Sequence, residues 1–174
     1  MVVVSPLAAS DGKRAMNPCP CGYLTDPRGR CRCPSTAVAR YRAKISGPLL
    51  DRIDLHIDVP AVPFEALTQA PSGETSAQIR ARVIKAQRWY RRRGQQCANA
   101  QLSSKGLKTY CEMTPEAVSL LRGAMKELTL SARSYTKILK ISRTIADLAE
   151  SKRILPEHIA EAIQYRSLDR QLWV

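Results

Sequence analysis

The 174-residue sequence has no run approaching the roughly 18 to 20 consecutive apolar residues of a membrane-spanning helix. Its apolar opening, Met1-Val2-Val3-Val4, gives way at once to Ser5 and Pro6 and is too short for the core of an export signal. Both absences point to a cytoplasmic chain with no membrane partner. Histidine is scarce: His56 and His158 are the only two, each without a partner nearby in sequence, and neither is assigned a role. No internal repeat is visible. Acidic residues are missing altogether between Thr75 and Cys111, a stretch that holds nine Lys and Arg and so carries +9 of the net +13. A charge so one-sided argues for a polyanionic partner. The apolar content, 44%, excludes an intrinsically disordered chain and suits one domain, or one domain with a small appendage.

Against these absences stands an excess of cysteine. Cys19, Cys21, Cys31 and Cys33 form two Cys-x-Cys pairs separated by nine residues, within a segment whose Pro18, Pro20, Gly22, Pro27, Gly29 and Pro34 supply turns. Without an export signal, the reducing cytosol makes metal ligation a better account of clustered thiols than a disulfide framework. The pairs are tighter than the usual C-x2-4-C of zinc sites, so a four-thiolate structural zinc, adjacent reduced thiols and redox chemistry all stay open. Four protein ligands would leave no open position, so such a metal would be structural. Arg28, Arg30 and Arg32 make the outside of the loop basic. Cys97 and Cys111 stand apart and read as ordinary buried thiols.

Along the chain, residues 1 to 14 begin like a strand and then break into Pro, Ser, Asp and Gly, which punctuate regular structure. A helix is expected after Ser35 or Thr36 as cap, with Val38, Tyr41 and Ile45 inward, stopped by Ser46-Gly47-Pro48. Leu55, Ile57 and Val59 alternate with Asp54, His56 and Asp58, as in a half-buried strand. Residues 61–74 read as a linker between a segment 1–60 and a helical domain 75–174. Helices are expected over 76–93, 103–111, 115–128, 132–150 and 156–165, forming a small bundle. Their inward faces are Ile79, Val83, Ala86 and Tyr90, then Leu120, Leu121, Ala124 and Leu128, then Tyr135, Ile138, Leu139, Ser142, Ile145 and Leu148. The first of these helices carries Arg80, Arg82, Lys85, Arg88, Arg91, Arg92 and Arg93 with no acid among them. A merely solvated helix usually interleaves Glu, so these seven are candidate nucleic-acid contacts. Trp89 could stack on bases, while Tyr90 falls on the packed face.

Taken together, "AMNPCPCGY", "CRC", "RYRAKISGPLLDRIDLHIDVP", "SGETSAQIRARV", "NAQLS", "LSARSYTKILKISRTIADLAES" and "PEHIAEAIQYRSLDR" resemble, in unbroken order over residues 15 to about 170, the C-terminal third of the competence-type magnesium-chelatase-like ATPases, the ComM/YifB family. The resemblance implies a mostly α chain: a partial AAA+ α/β core piece with a four-Cys zinc loop, then a helical lid. It implies Asn17 as the sensor that orients the attacking water, Arg52 as an arginine finger reaching a neighbour's ATP, and Arg133 as the lid arginine touching its own subunit's nucleotide. It further implies DNA, single-stranded or branched, as partner, with ring neighbours. Arginine suits both nucleotide roles because it stays charged and forks onto phosphate oxygens.

Departures accompany the matches. No G-x-x-x-x-G-K-[ST] and no apolar run ending in an acidic pair occurs in the sequence, so ATP and Mg²⁺ would have to be held by a chain supplying that cradle. Where the family has an apolar strand leading into Ala15-Met16-Asn17, this chain has Ser10-Asp11-Gly12-Lys13-Arg14, as a split or truncated product, an alternative start or one half of a two-chain enzyme would. The expectation is a C-terminal portion of a DNA-acting AAA+ motor that does not hydrolyse ATP alone. The rivals are a stand-alone zinc-containing nucleic-acid-binding module, a non-functional fragment, and a subunit of a true magnesium chelatase, which the cysteine loop and basic helix do not favour.

Overall fold

The computed structural model describes residues 2–5, 12–26, 28–44, 46, 52–57, 59, 62, 64, 68 and 73–166, with side chains from residue 15 onward. Pro27, Ile45, Gly47, Pro48, Asp51, Asp58 and most of the expected linker lie outside the described residues. The chain divides into two compact units, Met1–Pro71 with Tyr165–Val174, and Ser72–Gln164. The second unit therefore stops ten residues short of the expected boundary at 174. The reason is local: the Tyr165 carbonyl accepts the His56 N–H at 2.8 Å, and the buried Arg166 guanidinium donates to the Ile53 carbonyl. These bonds lie within the first unit and account for Tyr165 and Arg166 belonging to it.

The first unit contains a three-stranded antiparallel sheet in the order β2-β1-β3, built from β1 (Val2–Ser5), β2 (Gly12–Ala15) and β3 (Leu55–Ile57). β1 pairs Val2 with Ala15 on one side and with Ile57 on the other. Residues 12–15 thus continue regular structure, where the polar composition suggested a break: β1 offers a backbone template, and strand pairing needs no apolar side chain at each position. Both strand pairings of this sheet are antiparallel, so the sheet holds no βαβ crossover. In β3 the expected faces are reversed. His56 is buried while Ile57 and Val59 are exposed, the consequence of a period-two element turned by one residue.

Helix α1 (Ser35–Arg42) follows the cysteine loop. Its cap is Pro34, extended and without a side-chain bond, instead of Ser35 or Thr36. The fixed φ of proline sets the chain for helix entry, which leaves Ser35 as the first helical residue.

The second unit is helical: α2 (Ser76–Arg92), a 3-10 turn (Asn99–Gln101), α3 (Ser104–Tyr110), α4 (Pro115–Glu127), α5 (Ala132–Leu148) and α6 (Pro156–Gln164). Four of these starts, those of α2 to α5, carry a side-chain cap. Thr75 and Gln78 close a reciprocal capping box, and Ser103, Thr114 and Ser131 each accept an N–H from three residues on. Gly94, at φ +80°, ends the turn after α2, a conformation that glycine adopts without the Cβ clash. The core gathers Leu102, Cys111, Ala117, Leu121, Ile138, Leu139, Ala146, Ile154, Ile159 and Ala162, with α5 packed against α6 and α2. Leu120, Tyr135 and Leu148, expected inward, are exposed, as are Ile79 and Val83 of α2. Only the second half of α2, Ala86 and Tyr90, is half-buried. Cys111 is buried as expected, whereas Cys97 is half-buried.

Candidate functional site

Three successive turns wind residues 19–29 into the cysteine loop. The Gly22 N–H donates to Cys19 O at 3.0 Å, Asp26 N–H to Tyr23 O at 3.1 Å, and Gly29 N–H to Asp26 O at 3.0 Å. Gly22 sits at φ +82°, with the Asn17 side chain lying where a Cβ would come into ordinary contact. The Asp26 carboxylate accepts the Arg28 N–H at 2.8 Å and the Arg30 Nε, which pins the second half of the loop and holds that carboxyl below its ordinary range. The loop thereby returns Cys31 and Cys33 to Cys19 and Cys21.

The four Sγ atoms all lie within 4.8 Å of one another. Cys19 to Cys21 is 3.3 Å, and both are 3.7 Å from Cys31. A tetrahedral ion with metal–sulfur bonds of about 2.3 Å requires sulfur–sulfur edges of about 3.8 Å. The two edges to Cys31 match that value, the Cys19–Cys21 edge is about half an ångström shorter, and all three are far longer than a disulfide bond of about 2.05 Å. The titration behaviour agrees. The Tyr23 backbone N–H, followed by the Cys19 thiol, pulls the Cys21 thiol down to about 6, a thiolate at neutral pH. Cys33 is drawn down by the Cys21 N–H, but the Cys21 side chain and desolvation outweigh it and push it up to about 12. Cys31 is likewise raised on balance, because desolvation and the Cys21 and Cys19 thiols outweigh the Cys33 N–H. One thiolate forms readily and the others are resisted by its charge, and a bound cation would relieve that conflict. Cys19, Cys21, Cys31 and Cys33 can hold a metal ion; a water-accessible fifth position for catalysis is not part of such a site.

Asn17 lies two residues beyond β2 and is exposed. Arg52 is exposed three residues before β3, and Arg133 is exposed in the first turn of α5. The two arginines belong to different units, and nothing here brings them to one place.

The α2 cations divide into three groups. Arg80, Arg88, Arg91 and Arg92 are exposed. Arg80, Arg88 and Arg91, with Ile84 between them, follow helical steps along one face about 16 Å long. Arg82 and Lys85 are also exposed, but acids from outside the helix meet them, Glu74 at 2.8 Å and Glu150 at 2.5 Å. Arg93 turns inward. Its guanidinium chelates Asp147, with Nη2 at 2.9 Å, and donates to Gln95 Oε1 at 2.7 Å and Asn99 Oδ1 at 3.1 Å. Asp147 also accepts the Asn99 amide at 2.8 Å and Arg143 Nε at 3.0 Å. Arg143 is fully buried and spends its remaining donors on the Ser151 and Lys152 carbonyls, at 2.6 and 2.9 Å. Desolvation lowers its pKa, opposed by Asp147. This network was missed in the sequence, although Asp147 lies four residues from Arg143 on the face that also carries Ile138, Leu139 and Ala146. That placement was the signal.

Comparison with known proteins follows these features closely. Residues 73–166 match the family described as magnesium chelatase, subunit ChlI C-terminal, and residues 13–67 match magnesium chelatase, subunit ChlI. Competence protein ComM of Haemophilus influenzae is 41% identical over 159 residues, which cover 91% of this chain and 31% of that protein. YifB of Salmonella typhimurium is 39% identical over 160 residues, 91% of this chain and 31% of that protein. Rv2897c of Mycobacterium tuberculosis is 35% identical over 157 residues, 87% and 30% respectively. The chain thus spans about a third of the length of these relatives. Among the described residues no helix is long and apolar enough to cross a membrane.

Proposed function

Because the chain belongs to the magnesium chelatase, subunit ChlI C-terminal family, we propose that it is the C-terminal portion of a DNA-acting AAA+ ATPase of the ComM and YifB kind. The observation that carries this reading is α2, whose exposed Arg80, Arg88, Arg91 and Arg92 stand on a helix without a single acid. Cations in such a row neutralise successive phosphates and release their counterions. Cys19, Cys21, Cys31 and Cys33 of the loop would hold a structural zinc, which would brace residues 17–34 with no external ligand.

ATP with Mg²⁺ supplies the phosphoryl chemistry when bound to a chain that carries the phosphate cradle. In this reading Arg52 reaches the nucleotide of a neighbouring subunit, Arg133 acts as the lid arginine and Asn17 orients water, roles that the exposure of all three leaves them able to take. The whole reading supports a ring assembly in the cytoplasm.

Co-expression with a segment carrying the Walker motifs tests it. The complex hydrolyses ATP in response to single-stranded or branched DNA, this chain alone does not, and Arg52→Ala lowers turnover by roughly 10³ or more. Equal turnover with Arg52 and Arg52→Ala would remove the finger. Binding by the chain alone, with no ATPase upon complementation, would leave a non-enzymatic nucleic-acid module instead.

A further inference from the structure

The cysteine loop and α1 are as one-sided as α2. Residues 15–46 contain six Lys and Arg, namely Arg28, Arg30, Arg32, Arg40, Arg42 and Lys44, against the single acid Asp26. That acid does not offset them at the surface: its side chain is only 7% exposed and is used up by the Arg28 N–H and Arg30 Nε. Arg28, Arg30, Arg32, Arg40 and Lys44 are exposed. Among them stands Tyr23, 42% exposed, with Leu24 beside it at 37%, although both belong to a loop tight enough to bury Cys19 completely. The Arg30 guanidinium lies over the Tyr23 ring at 4.2 Å from its centroid and is fixed from behind by Asp26. The ring is therefore preset, with one face stacked on a cation and its remaining exposed area open to a second planar group.

We propose that the thiolate knot is a second nucleic-acid site, with Tyr23 and Arg30 forming a stacking platform for an unpaired base and Arg28 and Arg32 taking the flanking phosphates. An acidic peptide would meet the cations but leave the ring unused. A paired duplex would meet the cations but offers no free base face, so the chemistry selects a single strand. The site extends the nucleic-acid reading of α2 to the other unit. It also gives a metal a purpose: Tyr23 lies between the turn closed by the Gly22 N–H on Cys19 O and the turn in which its own carbonyl accepts the Asp26 N–H, so an ion held by the cysteines would set the backbone that carries the ring.

The test uses the intact chain and a fluorescent 12-nucleotide oligothymidine carrying one 5-iododeoxyuridine. Irradiation of the wild-type complex should cross-link Tyr23, located by peptide mass spectrometry. Tyr23→Ala leaves the backbone N–H in place and should retain one zinc per chain, while weakening binding about 5- to 150-fold, the effect expected for one stacked base. Tyr23→Phe should bind within about twofold of wild type. Arg28→Gln with Arg32→Gln should flatten the salt slope by about 1.4 on single strands. An α2 variant with Arg80, Arg88 and Arg91 all changed to Gln should keep the Tyr23 cross-link. Cross-links confined to α2, or unchanged affinity of zinc-replete Tyr23→Ala, would overturn the knot site and leave the α2 reading standing. In the α2 variant, where the knot is the remaining site, duplex binding equal to single-strand binding would also overturn it. Loss of affinity in Tyr23→Ala with none in the α2 variant would uphold the knot and remove α2.

Discussion

Arg91 and Arg93 stand two residues apart at the end of one basic helix, and substituting each by Gln should give opposite results. With Arg80, Arg88, Arg91 and Arg92 on phosphates, the slope of log affinity against log salt on duplex DNA is about 4 × −0.9, or −3.6. Between 50 and 200 mM salt that slope costs about 150-fold in affinity. Recruiting Arg82 and Lys85 as well, whose exposed pairs with Glu74 and Glu150 are worth at most about 1 kcal/mol each, would steepen the slope to about −5.4. Arg91→Gln should make it shallower by about 0.9 and leave stability within about 0.5 kcal/mol. Arg93→Gln should leave the slope alone, because its guanidinium already serves Asp147, Gln95 and Asn99. It should instead remove charge-assisted bonds worth about 2 to 3 kcal/mol, lowering the melting temperature of a unit this size by roughly 10 to 20 °C. Fluorescence anisotropy on a labelled 20-base-pair duplex at four salt concentrations reads the slope, and far-UV circular dichroism reads the melt. If Arg93→Gln flattens the slope as much as Arg91→Gln while its melting point stays put, the division of α2 into outward and inward cations is wrong.

Asp147→Ala strands the fully buried Arg143 without its anion and should cost about 3 to 5 kcal/mol in urea unfolding, whereas joint replacement of Arg143 and Asp147 by Leu should recover much of the loss; a single-site cost under about 1 kcal/mol would contradict the network. Metal analysis after purification under reducing conditions should give about one zinc per chain, and stripping it with a chelator should open residues 17–34 to protease while the unfolding transition of 72–164 stays in place; four titratable thiols and no zinc would defeat the site. His158 Nδ1 accepts the Leu155 N–H at 3.1 Å at the start of α6, which demands the neutral ring, and desolvation lowers its pKa. Its contribution is therefore present above the ordinary value of about 6.5 and lost as pH falls through the folded value, so the urea midpoint should drop between pH 7 and 5, and His158→Gln should remove that dependence.

Local chemistry was the most legible part of the fold. Pro115 behind Thr114, Ser131 before Ala132 and Gly94 after Arg92 mark helix ends by what they do to the backbone, and the observed ends agree to within a residue or two. The faces were less legible, and the reason lies in what periodicity measures. Ile79, Val83, Ala86 and Tyr90 do share one side of α2, but a shared side is buried only where a neighbour covers it. α5 packs on α2, and Ala86 and Tyr90 are half-buried while Ile79 and Val83 stay in solvent. β3 shows the same limit at period two: alternation reported that two faces differ, and the buried one was that of His56.

The two charged features of the chain differ in the same way. Clustered cysteines are informative alone, because such thiols have few occupations, and four of them at tight spacing narrow the choice to a metal site, adjacent reduced thiols or redox chemistry before any geometry is known. An arginine is not, because the same residue serves a phosphate, a solvated face or a buried carboxylate. Arg93 looked like the last cation of a basic row, and what removes it from that row is Asp147, 54 positions away, which no window along α2 contains. The acid was visible in its own helix as an ionisable residue on an apolar face, next to Ala146 and four residues from Arg143. A buried carboxylate must be paired, so Asp147 required a cation from somewhere; Arg143 met part of that demand and left an oxygen to be claimed by another donor. Counting such unmet demands on core faces, before assigning surface cations to a ligand, would have withdrawn one arginine from α2 and reduced its expected phosphate contacts accordingly.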